Sequence, residues 1–259
     1  MMLTKIAWTN QTWNPVTGCT KFSVGCDNCY AERMAPRLKG MKNQKGKYRN
    51  GFEVTCHPQT LSMPLKGRRA RRVFVNSMSD LFHKEVPLSF ITQVFDVMGN
   101  APWITFQVLT KRAERLVELA PQLTWHPNVH MGVTIEADKY AFRAELLKET
   151  PAVVKFVSLE PLLSPVPSVN FAGLEWVIVG GETGQRARPM LEQWVLDIRD
   201  RVVGAGIPFF FKQWGGRNNT ARGKMLQGQV WQQFPPAATG AGSCAVPRGN
   251  LAVALKIKP

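Results

Sequence analysis

Three of the five cysteines of this 259-residue chain fall within eleven residues, at Cys19, Cys26 and Cys29. Six residues separate the first two of these cysteines and two residues separate the last two, so one loop can turn three sulfurs toward a common centre. Gly18 and Gly25 each precede a cysteine and permit the tight backbone turns that such a loop needs. A cluster of this kind in a reducing compartment is typical of metal binding or catalysis rather than of a disulfide framework. We therefore expect the three cysteines to bind a metal.

Iron–sulfur and zinc are the two metals that this cysteine spacing favours. A structural zinc site is normally closed by four protein ligands, and the nearest further donors in the sequence are Cys56, His57 and His83. None of these belongs to a second Cys-x-x-Cys or His-x-x-x-His pair. A four-iron cluster held by three cysteines keeps one iron open, and an open iron can bind a small molecule. We prefer a [4Fe-4S] cluster, with zinc and uncoordinated buried cysteines as the alternatives, and we do not assign Cys244 to the site.

The residues around the cysteines resemble the opening motif of a largely uncharacterised family that is common in phages and prophages and is usually grouped with radical S-adenosylmethionine enzymes. The resemblance covers residues 12–32, 75–83, 107–112, 158–162, 179–184, 187–190 and 210–215. The usual radical-enzyme motif has three residues between its first two cysteines, where this chain has six. The Cys-x-x-Cys-Tyr end of the motif is similar to the cysteine loop of the spore photoproduct lyases.

This resemblance implies a fold, two cofactors and a reaction type. The implied fold is a partial TIM-like barrel, and the implied cofactors are a [4Fe-4S] cluster on Cys19, Cys26 and Cys29 and S-adenosylmethionine on its open iron. Electron transfer from the cluster would cleave S-adenosylmethionine and start hydrogen abstraction from a substrate. An electron donor is then a required partner, and the participation of a further partner protein is left open.

Apolar runs alternate with longer amphipathic segments along most of the chain. The predicted strands span residues 73–76, 103–109, 129–134, 153–158, 176–180 and 207–211, and the predicted helices span residues 31–40, 88–99, 111–120, 139–149 and 191–204. This alternation predicts an α/β fold with a parallel sheet covered by helices. A doubly wound open sheet would give the same alternation, and the resemblance favours a full or partial (β/α) TIM-like barrel of the radical S-adenosylmethionine type.

We expect one folded domain followed by a short extension. Residues 1–234 are predicted to form the barrel-like domain with its N-terminal cysteine loop, and residues 235–259 a loose C-terminal extension rich at first in proline, alanine and glycine. Residues 251–258 could add an edge strand. Residues 39–51 are polar, basic and glycine-containing and are predicted to form a surface loop.

Polar side chains follow nearly every predicted strand, at the edge where the carboxyl ends of parallel strands meet and where such folds place their chemistry. The predicted catalytic residues are Asp80, His83 and Glu160, the predicted cofactor contacts are Tyr30, Ser77, Glu136, Gly180, Gly181 and Glu182, and the predicted substrate contacts are Lys111, Arg112, Lys212 and Gln213. The glycine pair ends a buried strand and could expose amides that hold a carboxylate, a ribose or a phosphate. A helix cap is the alternative role for any one of the carboxylates.

The chain carries 33 lysines and arginines against 18 aspartates and glutamates, a formal net charge of +15. Such an excess favours contact with polyanions, of which nucleic acid is the most common inside a cell. The charge is concentrated in residues 33–49 and 66–72, close in sequence to the cysteine loop or to the strand that follows. A basic run that is only a solvated surface is the alternative.

Three functions are compatible with these features. The first is an iron–sulfur, radical S-adenosylmethionine-like enzyme that modifies or repairs nucleic acid or a nucleotide. The second is a non-enzymatic nucleic-acid-binding protein with a structural zinc, and the third is a hydrolase that uses its carboxylates while the cysteines brace the fold. No window has the eighteen or so apolar residues needed to span a bilayer, so we expect a cytoplasmic protein without a membrane partner.

Overall fold

The centre of the protein is an eight-stranded, almost entirely parallel β-sheet, as described by a computed structural model that covers residues 1–41, 46–218 and 222–236. The strands in order across the sheet are β1 Met2–Leu3, β2 Gln11–Trp13, β5 Arg71–Val75, β6 Ile104–Thr110, β7 Val129–Thr134, β8 Val154–Leu159, β9 Trp176–Gly180 and β10 Phe209–Gln213. All neighbours from β2 to β10 are parallel, and only the edge strand β1 is antiparallel. Two further pairs are β3 Val16–Thr17 with β4 Thr55–Cys56, and β11 Met225–Leu226 with β12 Gln229–Val230.

Helices accompany the sheet along the chain. They are α1 Tyr30–Lys39, α2 Leu88–Gly99, α3 Ala113–Leu119, α4 Phe142–Lys148 and α5 Glu192–Gly204. Among these described helices, none combines the length and the apolar character that crossing a bilayer would require. The connection from β8 to β9, residues 160–175, is described throughout and contains no helix. Helices and strands thus occupy nearly the positions that the hydrophobic pattern predicts, with ends that differ by up to three residues.

The strands separate two hydrophobic layers because successive side chains of a strand point to opposite faces. In β5, Val73 and Val75 join the large core between sheet and helices, whereas Phe74 joins a smaller cluster on the inner face. The same alternation places Val177 and Val179 of β9 in the large core. Helices therefore cover one face of the sheet, and the inner face is filled by aromatic side chains.

The inner face is strongly curved, as the contacts of Trp8 demonstrate. The Trp8 ring lies 4.7 Å from the ring of Phe74 on β5 and 6.2 Å from the ring of Trp176 on β9. Three strands lie between β5 and β9, so these two strands would be about 19 Å apart in a flat sheet with ordinary spacing. One indole can touch both only if the sheet curls toward a barrel.

The expectation of an α/β fold with a mostly parallel sheet is confirmed. Within the described residues the hydrogen-bonded order is open, with β1 and β10 at its ends, so a closed barrel is not formed there. The predicted surface loop over residues 39–51 is partly packed, because Tyr48 is buried against Ala31, Leu38 and Met78. Nearly all of the predicted C-terminal extension, including the possible strand over 251–258, lies outside the described residues.

His130 on the inner face of β7 makes the stability of the fold dependent on pH. Burial lowers the pKa of His130 from 6.5 to about 4. The unfolded chain therefore binds a proton between these values while the folded chain does not, so stability should fall by about 3 kcal/mol as the pH is lowered across this interval.

We expect His130→Gln to remove this component from unfolding free energies measured in urea between pH 7 and pH 4. The matched variant His126→Gln, at a half-exposed site, should keep the wild-type profile. An unchanged profile in His130→Gln would contradict the assignment.

Candidate functional site

The cysteine loop, defined here as residues 18–29, joins β3 to α1 and lies across the carboxyl ends of the parallel strands. Gly18 at its start pairs with Ser79 just beyond β5. Val24–Cys26 forms a short 3-10 turn, and Cys29 directly precedes α1. The loop contacts residues that follow β5, β6, β7 and β9, and three sets of contacts hold it there, with a fourth at the start of α1.

Both glycines that precede cysteines allow a close approach of the backbone. Gly18 has a φ of +81°, and a Cβ atom there would lie 2.0 Å from the carbonyl oxygen of Glu53. A Cβ atom on Gly25 would lie 2.5 Å from Cγ of Glu136. Real Cβ atoms do not approach other atoms so closely, so a side chain at Gly18 would push the loop away from Glu53, and one at Gly25 would push it away from Glu136.

Glu136, just beyond β7, forms the most deeply buried contact with the loop. Its carboxylate accepts a 2.6 Å hydrogen bond from Ser23 Oγ and forms ion pairs with Lys111 at 2.7 Å and with Arg143 at 2.9 Å. The Glu136 side chain has no solvent exposure and that of Arg143 only 1%. Burial alone would raise the pKa of Glu136, but Lys111 and Arg143 lower it, and the net direction is down. The group is therefore a buried carboxylate anion.

A second contact with the loop is built from Glu182 and Arg188, beyond β9. The guanidinium meets the carboxylate in a bidentate pair, with Nε at 2.9 Å from Oε2 and Nη2 at 2.5 Å from Oε1. Arg188 Nη2 also donates to the carbonyl oxygen of Val24 at 2.9 Å, and Asn28 Nδ2 donates to Glu182 at 3.0 Å. Burial acts to raise the pKa of Glu182, but the hydrogen bonds from Arg188 overcome it and the net direction is down.

A third contact fixes the loop at Thr20. Arg112 Nη2 donates to the carbonyl oxygen of Thr20 at 3.3 Å and to its hydroxyl at 3.2 Å, and it lies 4.0 Å from the sulfur of Cys19. His83 Nε2 lies 2.8 Å from the same hydroxyl, while its Nδ1 accepts a hydrogen bond from the backbone N–H of Glu85. Burial and the neighbouring Arg112 both lower the pKa of His83. A neutral imidazole with both nitrogens hydrogen-bonded thus anchors Thr20.

Asp80 is hydrogen-bonded to the protein through both carboxylate oxygens. One oxygen accepts from Thr110 Oγ1 at 2.7 Å and from the N–H of Phe82 at 2.9 Å, and the other accepts from the N–H of Lys111 at 3.1 Å. These contacts join the segment after β5 to the end of β6. Asp80 thereby supports the residues that hold the loop, and its catalytic role stays a prediction.

Glu160 differs from the other three carboxylates because its partners come from β10 and not from residues tied to the cysteine loop. Its Oε1 atom lies 2.5 Å from Lys212 Nζ and accepts a 3.1 Å hydrogen bond from Gln213 Nε2. The side chains of Glu160 and Lys212 are each 20% exposed, so both can meet a ligand. A Cβ atom on the adjacent Gly180 would lie 3.2 Å from the carboxyl carbon of Glu160.

Gly181 has a structural reason for being glycine. A Cβ atom at this position would lie 2.0 Å from the carbonyl oxygen of Trp214, and its N–H already donates to the carbonyl oxygen of Gln213 at 2.9 Å. The predicted exposed amide is therefore occupied within the protein at Gly181.

A fourth contact lies at the start of α1. The Tyr30 hydroxyl donates to the backbone carbonyl of Ser77, and the Ser77 hydroxyl lies 3.1 Å from the side-chain amide of Asn14. These contacts connect the residue after Cys29 to the ends of β5 and β2. Tyr30 and Ser77, both predicted as cofactor contacts, are thus brought together beside the cysteines.

The three loop cysteines are free and half-buried, as is Cys56. Burial raises the pKa of Cys19 to about 12, and Asp80, Cys26 and Cys29 act in the same direction. Over residues 1–41, 46–218 and 222–236, no three side chains of histidine, cysteine, aspartate or glutamate are arranged as a ready metal site. As a set of donors the three sulfurs fit an iron–sulfur cluster, and cluster binding would have to draw them together.

The two histidines that could close a zinc site are hydrogen-bonded within the protein. His57 Nε2 lies 2.7 Å from Thr17 Oγ1, and Cys56 belongs to β4, which pairs with β3. The two ring nitrogens of His83 are occupied by Thr20 and Glu85. Within the described residues, none of Cys56, His57 and His83 joins the loop cysteines as a fourth ligand.

Residues 3–235 match the model of a family described as "Protein of unknown function (DUF5131)". The chain belongs to this family. No curated protein sequence matches it. Among solved structures, a cysteine-to-alanine mutant of spore photoproduct lyase with dinucleoside spore photoproduct has a TM-score of 0.44 at 9% identity, covering 72% of this chain and 58% of that one. A cysteine-to-serine mutant of the same lyase has a TM-score of 0.43 at 10% identity, covering 73% and 59%. The chain thus spans less than two thirds of the length of these lyases, and the similarity is a distant one.

For this member of the family, the structure brings nearly all the predicted site residues to one edge of the sheet. No site role was predicted for several partners that hold them there, chiefly Ser23, Asn28, Arg143 and Arg188. Arg143 is buried, but in the sequence it looks like an ordinary surface arginine of the amphipathic helix α4. The available signal for Arg188 is its position six residues after Glu182 in a segment without predicted helix or strand.

Replacing Glu136 tests the buried ion pairs. We expect Glu136→Gln to lower the free energy of unfolding in urea by about 3 kcal/mol or more, because Lys111 and the buried Arg143 lose their counter-charge while the shape is kept. The control Glu118→Gln, on the exposed side of α3, should change stability by no more than about 0.5 kcal/mol. Equal effects of the two substitutions would show that the Glu136 pairs contribute little.

Proposed function

We propose that this protein is an iron–sulfur enzyme of the radical S-adenosylmethionine type that modifies or repairs a nucleic acid or nucleotide. The observation that carries the proposal is a loop with three free cysteines that Glu136 and the Glu182–Arg188 pair hold across the carboxyl edge of a parallel sheet. Three sulfur donors leave a four-iron cluster with one open iron. Parallel β/α folds place their chemistry at this edge of the sheet.

Cys19, Cys26 and Cys29 would hold the cluster, and S-adenosylmethionine would bind at its open iron. When bound, this pair supplies an electron and a reactive carbon fragment for hydrogen abstraction. The protein's own residues position these groups. Glu136 and the Glu182–Arg188 pair hold the loop at a fixed height above the sheet, and Arg112 places a positive charge beside Cys19.

Glu160 and Lys212 are the residues best placed to contact the cofactor or the substrate. Their ion pair is partly exposed, and neither side chain is tied to the cysteine loop. A carboxylate can accept hydrogen bonds from an amine or a hydroxyl, and an ammonium can meet a carboxylate or phosphate. Asp80, Glu136 and Glu182 are engaged with the protein, so we assign them to positioning rather than to direct contact with the reacting atoms.

The substrate class follows from charge. Exposed cations flank the site, including Lys21, Arg33 and Arg186, in a chain with a formal net charge of +15. A positively charged approach raises the local concentration of anionic substrates and speeds their association. A nucleic acid or a nucleotide is the substrate class that this surface suits.

Iron binding by single-cysteine variants tests the proposal. After anaerobic purification we expect about four irons per chain in the wild type and in Cys56→Ser, and a severe loss of iron in Cys26→Ser. Cys56 is the matched control because it is also free and half-buried but lies on β4. The readout is iron and sulfide analysis together with the visible absorption spectrum.

Two outcomes would overturn the assignment. Stoichiometric zinc without visible absorbance would replace the radical enzyme with a zinc-bearing nucleic-acid-binding protein. Unfolding of Cys26→Ser without any iron in the wild type, combined with a loss of hydrolytic activity in Glu160→Gln, would favour a hydrolase whose cysteines brace the fold.

A further inference from the structure

A dense group of cations lies at the end of the sheet opposite the cysteine loop. We call Lys66, Arg68, Arg69, Arg71 and Arg72 the amino-edge patch. Arg71 and Arg72 begin β5, and the other three precede it. The cysteine loop contacts residues beyond the carboxyl end of the same strand. The amino-edge patch and the cysteine loop are thus separated by the length of the sheet.

We propose that the amino-edge patch binds the phosphodiester backbone of single-stranded nucleic acid, as a site separate from the cysteine loop. None of its five cations forms an ion pair with a carboxylate among the described residues. On the helices, by contrast, Lys148 pairs with Glu145 and Arg199 pairs with Asp200. Cations that only solvate a surface are usually interspersed with acidic residues, whereas this group has its charge free for an external anion.

Aromatic rings support two of the guanidinium groups. Arg68 lies 5.6 Å from the centre of the Trp103 ring, and Arg72 lies 4.0 Å from the centre of the Phe234 ring. The two rings and β5 come from three separate parts of the chain, so the arrangement is built by the fold. Stacking fixes the plane of a guanidinium, and a planar guanidinium can bind a phosphate through two parallel hydrogen bonds.

A pocket of about 290 Å³ adjoins the patch and is lined by Met1, Gln11, Met63, Lys66 and Arg71. Arg71 Nε and Gln11 Oε1 are buried at this place and have no hydrogen-bond partner among the described residues. This donor and this acceptor are open to a group from outside the described residues. A phosphate offers acceptors for Arg71 and Lys66, and the amino group of a base offers a donor for Gln11.

The composition of the patch favours nucleic acid over a membrane surface. Four of its five cations are arginine, the residue suited to bidentate phosphate contacts, and two of these lie against aromatic rings. Single-stranded binding surfaces combine a basic track with such aromatic side chains. The inference does not rest on the proposed chemistry at the cysteine loop, because it concerns the other end of the sheet.

The test uses a fluorescein-labelled 20-nucleotide single-stranded DNA and fluorescence anisotropy over a range of salt concentrations. The patch variant is Arg68→Gln with Arg69→Gln, since both side chains are exposed. Each lost phosphate contact should reduce the slope of log affinity against log salt by about 0.7, so we expect a reduction of about 1.4 and about tenfold weaker binding at 0.15 M salt. The double variant Arg68→Lys with Arg69→Lys should restore most of the slope because it restores the charge.

The matched control is Lys148→Gln with Arg199→Gln, which removes the same charge from cations that have carboxylate partners. We expect it to bind the DNA with the wild-type slope. Equal binding by the patch variant and the wild type would overturn the inference, as would an equal loss in the control. Preferential loss of binding to phosphatidylserine vesicles, with DNA binding kept, would assign the patch to a membrane surface instead. The iron content of the patch variant should equal that of the wild type. The DNA-binding result can therefore be judged independently of whether the cysteine loop binds a cluster.

Discussion

A carboxylate with no solvent exposure, Glu136, lies at the end of β7 between an ammonium and a guanidinium, and the position of the cysteine loop depends on it. Removing a carboxylate from water is strongly unfavourable unless opposite charges and hydrogen bonds replace the water. Lys111 just after β6, Arg143 on α4 and Ser23 in the loop itself supply those replacements. Because the loop provides one of the three partners, a displaced loop would leave the buried anion less well satisfied.

Two other carboxylates at this edge of the sheet are likewise satisfied by hydrogen bonds from the protein. Glu182 is saturated by Arg188 and Asn28, and Asp80 by Thr110 and two backbone amides. These groups hold the loop or the residues under it. The ion pair between Glu160 and Lys212 keeps partial exposure and does not contact the loop. A site in which most charges fix the geometry and a few face the ligand is well suited to chemistry that depends on accurate positioning.

Strands and helices were predictable because their hydrophobic periods are local properties of the sequence. Val73 and Val75 alternate with Phe74, and this pattern places β5 between two apolar layers. The clustering of polar residues at strand ends was also predictable, because parallel strands share one carboxyl edge. The partners were not predictable, because Ser23 and Glu136 are 113 residues apart and a single sequence carries no signal for such a pair. Gly181 illustrates the same limit: its glycine pair indicated exposed amides, whereas the position is set by the approach of Trp214.

The most direct measurement of the central claim is the electron paramagnetic resonance spectrum of the reduced wild-type protein, recorded with and without S-adenosylmethionine. We expect a [4Fe-4S] signal that shifts when S-adenosylmethionine is added, because three cysteines leave one iron free to bind it. A cluster signal that is identical in both samples would contradict an open iron. The absence of any signal, with zinc present in its place, would contradict the iron–sulfur site itself.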